Sequence, residues 1–407
     1  MHRLNIFLVL TAVVVSAQEL DESILIDIFG TPPPSTSSPI SGTTTPRLED
    51  VTIRTTDRTT TFTESSGESC QCVPYYLCDA KLNGVWVNNA SVTGWGDLDI
   101  RFGEDDCQES VERCCVKPKT EEEVVIKPKP SPNKGCGYRN REGLDFSVTG
   151  GSGTEAQFGE FPWVIALIDS NNSYAGVGVL IHPEVVMTGA HIARNYAPQN
   201  LKIRAGEWDT QTVKERLQYQ ERNARTILVH KDFNSKNLRN DIALIHLEEP
   251  VVIDDHINII CMPQQNENFE QSKDCVANGW GKDVFESHVA GLSGRYAVIL
   301  KKVEVNMVPH RKCNAQLQRT RLGRRFQLHS SFVCAGGEEG KDTCQGDGGA
   351  PLACPIGNDR YKLTGLVAWG IGCGAKDVPA VYANVAAFRN WVEAAMLDWG
   401  LQTTYDI

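Results

Sequence analysis

His191, Asp241 and the run Gly346-Asp347-Gly348-Gly349 are the residues of this chain whose types and flanks could do chemistry together. His191 follows Val185-Val186-Met187-Thr188-Gly189-Ala190, a buried-strand pattern and then a turn, which carries an imidazole to the edge of a cleft. Asp241 stands directly before the apolar Ile242-Ala243-Leu244-Ile245, at the start of a buried strand. A histidine that takes a proton and a carboxylate that orients it are two members of an acyl-transfer triad. The glycine run offers backbone N–H groups of the kind that stabilise an oxyanion. The nucleophile is missing. From Gln345 to Ala353 there is no Ser, Thr or Cys, so no shift of register supplies one, and Thr343 lies too far upstream. A lone His or Asp is more often structural than catalytic. All three in this order, with these flanks, point to one site.

The elements that would position them read as all-β from Cys136 onward. Short Val/Ile/Leu-rich runs recur between turn residues at Trp163–Ile168, Gly176–Ile181, Leu201–Arg204, Thr226–Val229, Ile242–Leu247, Tyr296–Val305, Lys362–Trp369 and Ala380–Val385. Many short strands with regular turn signals predict a sandwich or barrels. The end differs: Phe388, Trp391, Val392, Ala395 and Met396 fall at i, i+3, i+4, i+7 and i+8, one apolar face of a C-terminal helix.

The chain has 407 residues and a net charge of −11, which argues against nucleic acid as a partner. Residues 1–17 read as a secretory signal peptide: a basic Met1-His2-Arg3, an apolar stretch from Leu4 to Val15, and small residues ending at Ala17. That stretch is too short to span a bilayer, and no later one approaches the ~18 apolar residues a span requires. Residues 18–67 are predicted to lack structure, because their Thr/Ser/Pro-rich part cannot bury a core. Six cysteines cluster at 70, 72, 78, 107, 114 and 115, in a module read as 68–116. The charged, Pro-rich 117–135 is a linker open to proteolysis, with its lysines solvated. Fourteen cysteines in a secreted chain point to disulfides. Asn89-Ala90-Ser91 and Asn171-Asn172-Ser173 are N-glycosylation sequons.

Residues 136–407 resemble the chymotrypsin-fold, trypsin-like serine protease family. Phe161-Pro162-Trp163, Thr188-Gly189-Ala190-His191, Asn240-Asp241-Ile242-Ala243-Leu244, Gly279-Trp280-Gly281 and Val378-Pro379-Ala380-Val381-Tyr382 match its landmarks in order. The resemblance implies two antiparallel six-stranded β-barrels with the site between them and a C-terminal helix. It places the family's serine at Gly348, making His191, Asp241 and Gly348 a degenerate triad and Gly346, Asp347 and Gly348 an oxyanion-like turn. Asp342 holds the base of the specificity pocket, as in members that accept Arg or Lys. Trp369 and Gly370 line the groove, Ala368 stands for a family serine, and Ala380 stands for the pocket-wall glycine, which narrows the pocket. Ala350 replaces a further family glycine. Active relatives are cut after Arg or Lys before an Ile-Val-Gly-Gly segment. Here the equivalent Val148-Thr149-Gly150-Gly151 has no basic residue upstream nearer than Arg141, so Asp347 needs another partner than a new N-terminus.

The family pattern implies disulfides Cys136–Cys261, Cys275–Cys354, Cys313–Cys334 and Cys344–Cys373. The bridge beside the catalytic histidine is missing at both ends, Gly176 and Ile192. The small module resembles the clip domain of arthropod proteases, which implies Cys70–Cys114, Cys72–Cys107 and Cys78–Cys115. Some family members bind calcium in the loop that opens at Gly206; Glu207 and Asp209 would be oxygen ligands here, the plainer reading being a solvated acidic loop. No other cofactor is implied. The whole resembles a catalytically inactive clip-domain serine protease homologue, secreted into haemolymph. That implies a cofactor or regulator of prophenoloxidase activation and melanisation. Its partners would be prophenoloxidase and active clip-domain proteases, with a homo-oligomer after cleavage. A decoy or negative regulator and a microbial-surface binder are alternatives, and an active trypsin-like endopeptidase is the enzyme rival.

Overall fold

The computed structural model describes residues 135–402 except 145–146, 150–152, 214, 216, 282–295 and 344–345, together with 61–63, 69–74, 77, 97–99 and 112–115. In the N-terminal part, β1 (Thr61–Thr63) and β2 (Ser69–Pro74) pair antiparallel, and β2 pairs with β4 (Glu112–Cys115) on its other side. Cys72 of β2 faces Cys114 of β4 in register. β1 lies inside the 18–67 segment expected to lack structure. The local sequence explains the difference: Phe62 and two threonines suit a strand edge, and Phe62 sits opposite Cys70. Residues 1–17, read as a signal peptide, residues 117–134 of the expected linker, and Asn89 fall outside the described residues.

β3 (Asp97–Asp99) pairs in parallel with β5 (Ser147–Thr149), with Leu98 opposite Val148. The stretch equivalent to the family's activation segment is therefore tied by backbone pairing to the clip region.

The first barrel is closed and antiparallel. It consists of β6 (Val164–Asp169), β7 (Tyr174–His182), β8 (Val185–Thr188), β9 (Leu201–Ala205), β10 (Gln220–Val229) and β11 (Ala243–Leu247), in the order β10-β11-β8-β7-β6-β9. β8 and β11 are buried at every residue, which is why they read as continuous apolar runs rather than alternating ones.

The second sheet runs β13-β12-β16-β17-β18-β15-β14, built from β12 (Cys275–Gly279), β13 (Lys301–Val305), β14 (Met307–Val308), β15 (Phe332–Ala335), β16 (Pro351–Gly357), β17 (Arg360–Trp369) and β18 (Ala380–Asn384). β13 and β14 are two halves of one segment bent at Asn306, whose carbonyl accepts from the Gly336 amide at 2.9 Å. One half pairs with β12 and the other with β15, so six chain segments close on themselves. The strand predicted over Tyr296–Val305 is shorter: regular pairing begins at Lys301, and only isolated bridges precede it.

Among the described residues the α-helices are α1 (Ala190–Ala193), α2 (His310–Leu317) and α3 (Arg389–Asp398). α3 buries Val392, Ala395 and Met396, the face its periodicity predicts. One apolar cluster runs through both barrels and includes Trp163, Trp208 and Trp280, each at most 1% exposed. Burying a large apolar side chain of this kind contributes about 2–3 kcal/mol. The Trp280 indole N–H donates to the Trp208 carbonyl at 3.1 Å, which fixes the second barrel against the loop of the first. Disulfides join Cys136 to Cys261, Cys275 to Cys354 and Cys313 to Cys334. The first closes a separation of 125 residues, for which the chain-entropy account gives roughly 4–5 kcal/mol.

Candidate functional site

His191 and Asp241 meet where the two barrels face each other. β8 ends at Thr188, Gly189 turns the chain, and His191 is the second residue of α1. Gly189 is required by space: a β-carbon there would lie 2.8 Å from both Nδ1 and Cε1 of the imidazole. Asn240 takes a left-handed φ of +55° and so aims Asp241 back across the mouth of β11. Asp241 is fully buried. Its Oδ2 lies 2.6 Å from His191 Nδ1, and its Oδ1 accepts the His191 backbone amide at 2.8 Å. Two bonds to one carboxylate fix both the backbone and the ring of the histidine, which is the orienting arrangement a triad needs.

The other ring nitrogen points at Gly348. A β-carbon at 348 would sit 2.7 Å from His191 Nε2, 3.4 Å from Cε1 and 3.0 Å from Ile192 Cδ1. The first distance is shorter than real β-carbons show. The imidazole therefore occupies space that a side chain at 348 would use. Ile192 is the second intruder. It is 8% exposed, and its Cδ1 would lie 2.5 Å from a β-carbon at Gly176. Gly176 itself has φ +152° and a carbonyl contact close by, since a β-carbon there would come 3.3 Å from Gly348 O. The positions of the missing bridge and of the missing nucleophile thus form one packed patch, filled by the isoleucine.

The turn that would hold an oxyanion is present in outline. Gly346 has φ +102° and Gly349 φ +76°, Ala350 N donates to Asp347 O at 2.9 Å, and Gly348 O accepts Val177 N at 3.2 Å. Among the described residues the amides of Gly346 and Gly348 donate to no other group. A turn with its donors unspent and no nucleophile can bind a carbonyl or carboxylate oxygen but cannot form an acyl-enzyme.

Asp347 finds its partner across 66 residues of chain. Its Oδ1 accepts the Gly281 amide at 2.8 Å. Gly279 and Gly281 are both needed for this approach, because a β-carbon at either would overlap that oxygen. Tyr174 donates its hydroxyl to Gly346 O at 3.0 Å and packs on Trp280 and Tyr296, with ring centroids 6.3 Å and 6.0 Å away. Burial pushes the Tyr174 hydroxyl well above its ordinary pKa, with Asp347 adding to the shift, so it stays a donor. Tyr174 belongs to no motif and gives no signal in the sequence. Only the chain reversal through β6 and β7 brings it under the turn.

At the base of the pocket, Asp342 accepts Thr343 N at 2.9 Å and Gly374 N at 3.0 Å. Burial is the first cause of its pKa rising to about 7, and the nearby Asp347 charge is a further one. Trp369 and Ala380 are buried, and Gly370 is half-buried beside them. At neutral pH the carboxyl of the unliganded pocket is therefore about half protonated. The linkage has a definite sign. A folded-state pKa raised above the unfolded value of about 3.9 favours the folded state when the acid is protonated, so stability from this group is fullest below about pH 4 and is lost as pH rises towards 7. Asp342→Asn should remove that loss. Denaturant unfolding at pH 5 and pH 8 should show the parent falling relative to the variant by about 2 kcal/mol between the two. Parallel curves would mean that the carboxyl is already ionised at pH 5.

The other predicted residues are placed as follows. Asn171 lies in the exposed turn between β6 and β7, its amide donating to Asp169 Oδ1 at 2.8 Å. Cys72 and Cys373 are disulfide-bonded, and no described cysteine is free. The other clip cysteine side chains, and Cys344, fall outside the described residues. Glu207 and Asp209, for which a solvated acidic loop is the plainer reading and calcium ligation the alternative, are both buried, so the loop is not solvated at these two carboxylates. Arg204 Nη1 already sits 3.2 Å from Glu207 Oε2, and burial raises Glu207 to about 7 and Glu215 to about 8. Among the described residues no group of three or more His, Cys, Asp or Glu is placed to hold a metal ion.

Residues 151–392 match the family model for trypsin, and residues 59–116 match the model described as the serine protease clip domain PPAF-2. The clip match begins ahead of Thr61, in agreement with β1. The chain is similar to phenoloxidase-activating factor 2 of Galleria mellonella, 46% identical over 70% of this chain and 97% of that protein. It is also similar to two Anopheles gambiae proteins. One is the inactive CLIP domain-containing serine protease A8, 40% identical over 80% of this chain and 88% of the relative. The other is the inactive protease A28, 34% identical over 83% and 91% respectively.

Proposed function

Since the chain belongs to the trypsin family of serine proteases and carries a clip domain, we propose that it is a secreted, catalytically inactive member that acts as a cofactor in an extracellular proteolytic cascade leading to phenoloxidase. The observation that carries this reading is that residue 348, opposite His191 Nε2, is a glycine with no side chain to act as nucleophile. The proton acceptor and its orienting carboxylate are assembled at 2.6 Å, and residue 348 offers them no hydroxyl or thiol to act on. Loss of the nucleophile from such a triad costs on the order of 10⁶ in turnover. The disulfide-braced barrels and the cleft between them then serve as a docking surface. The relatives point the same way, one bearing the name of a phenoloxidase-activating factor and others that of inactive clip proteases. By this reading an active clip protease cuts the chain in the clip region or the linker. The product then brings that protease and prophenoloxidase together.

The test combines two measurements on the full chain, before and after limited cleavage by an active clip protease. A serine-directed covalent probe should leave the chain unlabelled. Adding the cleaved chain to prophenoloxidase and that protease should raise phenoloxidase activity severalfold. Labelling in the 346–350 turn, or activity unchanged by the addition, would overturn the proposal. Reduced activity would mark a decoy instead.

A further inference from the structure

One face of the second barrel carries a charge opposite to that of the chain. From Val305 to Gly337 there is no Asp or Glu, while Arg311, Lys312, Arg319, Arg321, Arg324 and Arg325 all lie in this stretch of a chain whose net charge is −11. All six are exposed. The fold gathers them on one surface. Arg311 and Lys312 open α2, and the four arginines follow its end on a loop folded back onto it. Gln318 Nε2 donates to Phe326 O at 2.8 Å, and Leu328 N donates to Asn314 Oδ1 at 2.8 Å. The Cys313–Cys334 disulfide anchors the helix beneath.

A second segment extends this face. Phe233 and Leu238 belong to the same apolar cluster as Leu317, Leu322, Phe326 and Leu328, and Asn240 N donates to Ser331 Oγ at 3.2 Å. That contact places exposed Lys231, Lys236 and Arg239 alongside, with Arg194 stacked over the Phe233 ring at 5.9 Å. The carboxylates nearby are few. Asp232 lies on the 231–239 segment, Glu270 accepts the backbone amide of His310 at 2.9 Å, and Asp241 is committed to His191.

We propose that this face binds an extended anionic polysaccharide carrying sulfate or carboxylate groups. Arginine predominates, and its planar fork suits the paired oxygens of such groups. The cations at the two ends of α2 are separated by about 12 Å of helix, so one small anion cannot engage them together, whereas a polymer can. Protein partners dock on a central apolar or aromatic anchor. Here there is none: the exposed large apolar side chains among the described residues are Val213, Val252, Ile253, Tyr296, Ile356 and Leu397, all outside the basic segments. A contact made almost wholly of charge fits a polysaccharide better than an acidic protein.

Heparin is a suitable probe. The full chain should bind it at physiological salt despite the net negative charge, with affinity falling steeply as salt rises. Replacing Arg319, Arg321, Arg324 and Arg325 with Ala should weaken binding at least about tenfold and reduce the slope of log affinity on log salt by about three. The pair Arg311→Ala and Lys312→Ala, on the helix, should weaken it independently. Arg225→Glu, on the first barrel, should leave it unchanged, and thermal melting should show all variants folded. Variants that bind as the parent does would overturn the proposal. So would tighter binding of polyglutamate or of a phosphate-rich teichoic acid than of heparin. The readout does not involve phenoloxidase, so it fails or succeeds separately from the cofactor reading.

Discussion

Gly348→Ser alone is expected to leave the chain without measurable trypsin-like turnover, within about tenfold of a parent that lies roughly 10⁶ below an intact triad. The reason is spatial. A serine β-carbon at 348 would meet His191 Nε2 at 2.7 Å and Ile192 Cδ1 at 3.0 Å, whereas a productive Oγ–Nε2 hydrogen bond needs its own atom between them. To admit the side chain, the imidazole must swing away from Asp241, whose Oδ2 holds its Nδ1 while Oδ1 holds the histidine's backbone amide. Ile192 blocks the retreat, because it packs against Gly176 on its other side. The variant is expected to lose about 1–2 kcal/mol of stability from this crowding, measured by urea unfolding. A chromogenic Arg peptide and a serine-directed probe report the activity. Appreciable turnover, or rapid labelling, would mean that the imidazole relaxes freely and that the chain is one substitution from an enzyme. Adding Ile192→Ala should relieve the crowding and recover part of the stability, still without turnover, since Ala380 narrows the specificity pocket and no basic residue stands close before Val148 for an activating cut.

Much of this site is legible in the amino-acid sequence alone. The flanks of His191 and Asp241 place both residues at strand ends facing one cleft, because fully buried strands such as β8 and β11 read as unbroken apolar runs. The absence of Ser, Thr and Cys from 345 to 353 is decisive as it stands. The cysteine pairs joined in the second barrel are those the family pattern implies. α2 is less visible. It buries only Cys313 and Leu317 and starts after a proline without a side-chain cap, so it has no apolar stripe to read. Contacts between side chains far apart in sequence are not readable at all. Asp347 and Gly281 meet only because β12 and the 346–350 turn come together in the second barrel. The encroachment of His191 and Ile192 on the vacated positions is a matter of ångströms, which composition and spacing do not encode. The basic residues from 311 to 325 are in plain view as letters. That they share a face with 231–239 depends on the apolar cluster joining Phe233 to Phe326.

Gly349→Ala should be the more destructive change in the same turn, although it touches no catalytic group. Gly349 has φ +76°, and a β-carbon there would overlap Thr188 Oγ1 and meet Val177 O at 2.5 Å and Gly189 N at 3.0 Å. Two of these are backbone atoms, and the third is held by a 2.7 Å hydrogen bond from the Thr188 hydroxyl to the Val177 carbonyl. None can move without disturbing β7 or β8, the strands that present Gly176 and His191. The left-handed backbone costs an alanine about 1–2 kcal/mol, and the enforced overlap about 1–3 more. Gly400→Ala separates the two contributions, because Gly400 has φ +75° but nothing within 4 Å of its would-be β-carbon. It should cost only the backbone share. Urea unfolding should therefore place Gly349→Ala about 2 kcal/mol below Gly400→Ala. Equal losses would show that the turn is not wedged against the first barrel. The turn joins the two barrels where Gly348 O accepts Val177 N at 3.2 Å. Gly349 therefore helps to hold the cleft between the barrels, the surface proposed above to dock partners.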